Sequence, residues 1–225
     1  MHEDELNRYK DPATEIVVEP LDLGAESIEC GYDDAWNALP TIVAVEKAER
    51  DGFDGVILSC FGDPALRAAR EAVEIPVVGV AEASIHLASQ LGRRFGVITA
   101  GPPDAGAYIL DNFRMYQMDH KCVEVTSLGT CVLDLGGDPA AEVAKFVEAA
   151  RELQVHGADV IVIGCTGMTA IADSLAAAIP VPVVNPAPTA LKFCEDLIAL
   201  GLSHSKSAFP CPARKARVRG YGDKR

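Results

Sequence analysis

An eleven-residue pattern occurs twice in this sequence at a constant offset of 105 residues, and it restricts the possible folds more than any other feature. The first copy, residues 52–62, reads GFDGVILSCFG, and the second, residues 157–167, reads GADVIVIGCTG. In each copy an apolar run ends in a cysteine, which is Cys60 or Cys165. The offset is far longer than the roughly 20–50 residue period of a solenoid. The repeat therefore predicts two similar lobes related by pseudo-symmetry.

Apolar, β-branched runs alternate with amphipathic segments along the whole chain. Such runs are typical of buried parallel strands, and they predict strands at residues 15–18, 55–58, 77–80, 95–99, 122–125, 160–163 and 181–184. Over residues 138–155 apolar side chains recur at helical spacing. The alternation of strands and helices indicates an α/β fold with parallel sheets.

The offset also predicts where each lobe begins and ends. We expect the first lobe at residues 1–92 and the second at residues 93–186, with a last helix at 187–201 that packs back on the first lobe. The counterpart of the strand at 95–99 would precede residue 1, so the first lobe is expected to lack its first strand. Residues 213–225 carry six Lys or Arg against one Asp, and we expect residues 208–225 to form a flexible basic tail.

Composition excludes several classes of function. The net charge of −13 disfavours binding to nucleic acid or to anionic membranes, and no apolar run is long enough to span a bilayer. The seven cysteines form neither a Cys-x-x-Cys pair nor a zinc-like cluster with histidines, which indicates a reducing, cytoplasmic location. The glycine-rich loops of nucleotide-binding proteins are also missing.

The position of the two cysteines predicts chemistry. Each directly follows an apolar strand, and ligands bind at this end of parallel strands. In the first lobe Asp63 and Pro64 predict a helix start, with Asp63 as N-cap and Pro64 at the first helical position. A helix N-terminus lowers the pKa of a thiol. A lone cysteine would be read as a small buried hydrophobe, but two equivalent thiols facing one cleft are what a 1,1-proton transfer needs.

Three segments then identify a family resemblance: SCFGDP at 59–64, PVVGVAEA at 76–83 and GCTGM at 164–168. They resemble the hydantoin racemase branch of the aspartate/glutamate racemase superfamily, and the resemblance covers about residues 4–207. It implies two flavodoxin-like lobes with an active-site cleft between them, no pyridoxal phosphate and no metal. It also implies racemisation of 5-substituted hydantoins or allantoin, with Cys60 and Cys165 as the catalytic residues. We further expect a homo-oligomer whose only ligand is a small-molecule substrate.

Six other residues are candidates for substrate binding. The four that follow the cysteines would offer backbone N–H groups to the ring carbonyls, although ordinary helix starts would look the same. The carboxylate of one residue could reach a ring N–H, although acidic residues are common in a first helical turn. The six are Phe61, Gly62, Glu82, Thr99, Thr166 and Gly167.

Two alternatives remain open at this point. One is an aspartate/glutamate racemase or a related decarboxylase. The other is a non-catalytic binding protein, because the first strand of the family pattern and the Asn-Pro-Asn-Thr-like loop that follows it are missing from this sequence.

Overall fold

The structure, a computed structural model, describes residues 3–135, 139–213 and 215 of the chain. Its strands are β1 (Val56–Leu58), β2 (Val77–Gly79), β3 (Phe95–Thr99), β4 (Cys122–Ser127), β5 (Val160–Ile163) and β6 (Val183–Val184). Its α-helices are α1 (Glu3–Leu6), α2 (Gly31–Arg50), α3 (Leu66–Ala72), α4 (Val80–Leu91), α5 (Ala105–Met115), α6 (Pro139–Val155), α7 (Ala172–Ala178) and α8 (Pro186–Ala199). Short 3-10 helices lie at Asp119–Lys121, Val132–Asp134 and Thr166–Ile171.

The strands form two separate parallel sheets. The second half of the chain builds a four-stranded sheet in the order β4-β3-β5-β6, with Phe95 beside both Cys122 and Val160. The first half builds a sheet of β1 and β2 alone among the described residues, with Val56 beside Val77. At the repeat offset β1 and β2 correspond to β5 and β6. The α/β class with parallel sheets, which the alternating pattern predicted, is confirmed.

One predicted strand is wrong. Residues 15–18 form no strand, and Val17 and Val18 are 55% and 40% exposed. In the second half the corresponding strand, β4, is paired through β3. The described first-half sheet has no strand in the position of β3, so this β-prone run finds no partner for its backbone groups. The first-half sheet is therefore two strands smaller than the second.

Helix α4 lies between the two sheets and joins them. It packs against β2 of the first sheet, against β3, β5 and β6 of the second, and against α8. Val80 and Ile85 are fully buried in a core that also includes Val78 of the first sheet and Val162 of the second. The two halves therefore share one hydrophobic core, since both bury apolar area against the same helix.

The N-terminal and C-terminal segments cover the small first sheet. Leu6 of α1 is fully buried against Ala187 and Leu191 of α8, and α8 itself packs on β1 and β2. Beyond α8, the ring of His204 lies 2.9 Å from the backbone of Val77. Within the described residues no helix has the length and apolar content that crossing a membrane requires. The predicted basic tail lies mostly outside the described residues.

Candidate active site

A cavity of about 410 Å³ brings the two repeated cysteines together. Cys60 and Cys165 both line it, and neither thiol is in a disulfide. Five of the six predicted substrate-binding residues line the same cavity: Phe61, Gly62, Thr99, Thr166 and Gly167. The strand ends of both sheets therefore meet at one site, as the repeat predicted.

The second-half cysteine follows its strand directly into a helical turn. Cys165 is the N-cap of the 3-10 helix Thr166–Ile171, and the amide of Met168 donates to its carbonyl oxygen at 3.1 Å. The hydroxyl of Thr166 donates to the backbone oxygen of Ser59 at 3.0 Å, which ties this turn to the strand end of the other half. The hydroxyl of Thr99 donates to the oxygen of Gly164 at 2.9 Å.

The first-half cysteine is held differently, and the predicted helix start there is wrong. Helix α3 begins only at Leu66, with Ala65 as N-cap, so neither Asp63 nor Pro64 opens it. Asp63 and Ala65 instead have left-handed backbone angles, φ 46° and φ 57°, a conformation that costs a residue with a side chain about 1–3 kcal/mol. The Asp63 carboxylate is not available to cap α3, because the amides of Ala81 and Glu82 in α4 donate to it.

Both thiols have raised pKa values, which is the opposite of the shift expected at a helix N-terminus. Burial is the largest cause for Cys60 and raises its pKa to about 12; the nearby groups of Asp63, Cys165 and Asp34 raise it further. The amide of Gly62 lies 3.5 Å from the Cys60 sulfur and lowers the pKa, but by less. Burial also raises the pKa of Cys165, against the amides of Gly167 and Met168.

Desolvation therefore outweighs the backbone amides at both cysteines. At neutral pH both groups are thiols. A thiolate formed here is scarce but is also a stronger base than an ordinary one, which suits the removal of a proton from carbon.

Glu82 lies away from the cavity. Its carboxylate forms a two-point ion pair with the guanidinium of Arg70, with one contact at 3.2 Å from Nη1 to Oε1. Arg70 is buried beneath the C-terminal segment, where it also lies 5.6 Å from the ring of Phe209. Glu82 is not among the described residues that line the cavity, so its predicted contact with substrate has no support in this geometry.

Several residues that line the cavity belong to no sequence motif, so the sequence analysis did not predict them. The irregular segment 20–29 contributes seven lining residues, and the Glu29 carboxylate accepts a hydrogen bond from the Val132 amide across the two halves at 2.7 Å. Helix α2 follows and contributes Asn37. Near it, the exposed rings of Tyr32 and Trp36 pack edge to face with centroids 6.3 Å apart.

Tyr108 of α5 was also missed. It lines the cavity, and its hydroxyl lies 3.4 Å from the oxygen of Gly62. The same oxygen accepts from the side-chain amide of Asn112 at 2.7 Å. Helix α5 therefore supports the Cys60 turn from the second half of the molecule. Tyr108 and Asn112 lie outside both copies of the repeat, so the repeat could not predict these contacts.

The charged side chains in the described cavity wall are all acidic. Glu26 and Glu29 line the cavity, and no Lys, Arg or His does so in the part of the chain that the structure describes. A substrate carboxylate would meet repulsion here and no charged partner. A neutral ring with N–H and C=O groups can instead pair with backbone groups and with these carboxylates.

Comparisons with known proteins agree with this geometry. The family model described as Asp/Glu/Hydantoin racemase matches residues 3–194. A hydantoin racemase of Pseudomonas sp. (strain NS671) is 35% identical, over 91% of this chain and 83% of its own length. A hydantoin racemase of Rhizobium meliloti is 36% identical, over 88% of this chain and 82% of its own. The solved structure of allantoin racemase from Klebsiella pneumoniae superposes with a TM-score of 0.89 at 33% identity, over 96% of this chain and 89% of its own. By these matches, the chain belongs to the Asp/Glu/hydantoin racemase family.

Proposed function

We propose that this protein is a cofactor-independent racemase of 5-substituted hydantoins or of the related ureide allantoin, working through Cys60 and Cys165. The racemase class follows from the family. The observation that carries the substrate and the mechanism is the pairing of two equivalent, non-disulfide cysteines in one cavity whose described wall holds no cationic side chain.

The proposed reaction moves one proton off carbon and another onto it. One cysteine, as thiolate, removes the proton from the ring carbon that carries the substituent, next to a carbonyl. The electron pair moves onto that carbonyl to give a planar enolate, which backbone N–H groups at the strand ends can stabilise. The other cysteine, as thiol, donates its proton to the opposite face. The first cysteine ends as thiol and the second as thiolate, so the opposite enantiomer reacts by the same steps in reverse.

The charge of the cavity separates this proposal from its alternatives. Aspartate, glutamate and arylmalonates all carry carboxylates, and a site that binds them needs cationic partners or a dense set of N–H donors. The described wall offers Glu26 and Glu29 instead. Hydantoin and allantoin rings are neutral. Chemically they are the better match.

A substrate panel in D₂O tests the proposal. Single enantiomers of a 5-alkylhydantoin, allantoin, aspartate and glutamate are incubated with the protein, and optical rotation and deuterium incorporation are followed after subtraction of the uncatalysed rate. We expect the two neutral rings to racemise with deuterium uptake and the amino acids to remain unchanged. Racemisation of aspartate or glutamate alone would contradict the substrate assignment. No exchange with any of the four would overturn the proposed substrates and the two-cysteine mechanism.

A further inference from the structure

The carboxylate of Asp63 is buried directly beneath the Cys60 turn and is fully engaged there. Asp63 is only 4% exposed. Its Oδ1 accepts the amide of Ala81 at 3.0 Å, and its Oδ2 accepts the amide of Glu82 at 2.9 Å. The hydroxyl of Tyr116 also donates to Oδ2, at 2.9 Å. One side chain from the turn therefore binds the N-terminus of α4 and a tyrosine that follows α5.

These contacts explain why the turn keeps an unfavourable backbone. Asp63 and Ala65 both have left-handed φ angles, which residues with side chains rarely adopt. The amide of Asp63 donates to the Cys60 oxygen at 2.9 Å, so the position of residue 63 fixes that of Cys60. Gly79 leaves the space that this carboxylate needs, because a Cβ there would lie 2.5 Å from the Asp63 Cγ.

In the second half no carboxylate from the turn itself plays this part. At the repeat offset Met168 stands where Asp63 stands in the first half. There the turn after Cys165 continues into the 3-10 helix Thr166–Ile171, whose Thr169 hydroxyl donates a hydrogen bond to the Glu5 carboxylate of α1. The turn of Cys60 is therefore held by its own Asp63, whereas the turn of Cys165 is held from α1, so we expect a change at Asp63 to act on Cys60 alone.

We propose that Asp63 is a positioning residue for Cys60. Its carboxylate is bound between the α4 amides and Tyr116, and it holds the turn that presents this thiol to the substrate. Asp63 therefore serves only one of the two proton transfers. The inference rests on the proposed two-cysteine function. Asp63 contacts neither substrate nor the reacting atoms in this scheme. It acts through the turn, because a displacement of the Cys60 thiol by about 1 Å is enough to slow catalysis about 100-fold.

The test isolates each cysteine as the only base. In Cys165→Ala the remaining base is Cys60, and in Cys60→Ala it is Cys165. Each background is combined with Asp63→Asn, which keeps the shape but turns an N–H₂ group toward a backbone N–H. Deuterium exchange of each enantiomer of a 5-alkylhydantoin is then measured in D₂O. We expect kcat for exchange to fall about 10–100-fold in the Cys60-only protein, with KM within about threefold, and to change less than about twofold in the Cys165-only protein.

Two further variants keep the test decisive. Asp159→Asn is the matched control, because the Asp159 carboxylate also accepts two backbone amides, from Arg94 at 2.9 Å and Arg93 at 3.1 Å, away from the cavity. It should leave exchange by either cysteine unchanged. Tyr116→Phe removes a single hydrogen bond from Asp63, so it should show the same asymmetry at smaller size. If Asp63→Asn does not fold, the asymmetry of exchange between the two cysteines is judged from Tyr116→Phe alone. Equal losses on both cysteines, or no loss on Cys60, would overturn the proposal.

A readout without substrate separates this inference from the function itself. Alkylation of Cys60 by iodoacetamide is followed by peptide mass spectrometry across pH in otherwise unaltered protein. After burial, the Asp63 charge is among the groups that raise the pKa of Cys60. Asp63→Asn should therefore make Cys60 react faster and at lower pH, although its exchange activity falls; Asp159→Asn should do neither. If the single-cysteine proteins exchange nothing, the two-base function fails. An unchanged Cys60 alkylation profile in Asp63→Asn would then refute the anchor as well.

Discussion

The two halves of this molecule keep the same site residue while differing in almost everything around it. The second half carries four parallel strands, and its cysteine enters a regular helical turn. The first half carries two strands among the described residues, and its cysteine sits in an irregular turn with left-handed residues. Both cysteines nevertheless line one cavity. The strand that leads to the cysteine and the strand beside it are thus the part of the sheet that both halves share.

The small sheet remains covered because other elements take over the packing. Leu6 of α1 packs against Leu191 of α8, and α8 in turn packs on β1 and β2. Helix α4 supplies a shared core, in which Val80 and Ile85 are fully buried. The first half therefore depends on contacts that are distant in the sequence, whereas the second half has a complete sheet of its own.

The largest expected effect tests whether the two cysteines are equivalent despite these surroundings. Cys60→Ala and Cys165→Ala should each lower kcat for racemisation by about 1000-fold or more, because a full turnover needs a base on one face and an acid on the other. Polarimetry with a 5-alkylhydantoin measures this. The exposed Cys211, replaced by Ser, is the control and should leave the rate unchanged. Full activity in either alanine variant would show that the halves are not functionally paired.

The pH dependence tests a property that the two halves share. Burial raises the pKa of both thiols, so each is protonated at neutral pH. The thiolate fraction then grows about tenfold for each pH unit below the pKa, and kcat/KM should rise by about 100-fold between pH 7 and pH 9. The profile should be the same for both enantiomers, since their equilibrium constant is one when the ring substituent is achiral. A flat profile over this range would mean that a thiolate is already present at pH 7.

The smallest effect concerns the stability of the two sheets. Amide hydrogens of β1 and β2 should exchange with solvent at least about tenfold faster than those of β3 and β5, because a two-stranded sheet opens with less loss of structure. Hydrogen exchange with mass spectrometry on the native protein measures the difference. Peptides that cover Val160–Ile163 serve as the internal reference. Equal protection of both sheets would show that packing by α1, α4 and α8 makes the two-stranded sheet as stable as the four-stranded one.

Sequence patterns predicted correctly those strands that have a neighbouring strand to pair with in the structure. The runs at 95–99 and 160–163 are strands with those bounds, because β3 and β5 pair with each other at the centre of a sheet. The run at 15–18 has the same kind of residues but no neighbour to pair with. Strand formation is a property of a pair of segments, and a pattern within one segment cannot report it.

The same reasoning applies to the site. The repeat placed Cys60 and Cys165 at one cavity, because equivalent strand ends meet in related lobes. It could not find the segment 20–29 or Tyr108, which have no counterpart in the repeat and reach the cavity only through the packing of the whole chain. The Asp63-Pro64 pattern predicted the wrong role for Asp63, since the α4 amides that the carboxylate binds are 18 and 19 residues away along the chain. Contacts between segments that are distant in the sequence were missed, whereas the location of both cysteines at the cavity was predicted.

The aromatic pair on α2 gives this protein a built-in optical reporter. Trp36 is the single tryptophan of the sequence; it is 54% exposed, packs edge-on against Tyr32 and immediately precedes Asn37 in the cavity wall. Its emission depends on the polarity of its surroundings, and so on whether the neighbouring wall is solvated or covered by a ligand. Titration of the unlabelled protein, including variants that turn nothing over, can therefore yield dissociation constants for each enantiomer. Affinity and chemistry become separately measurable.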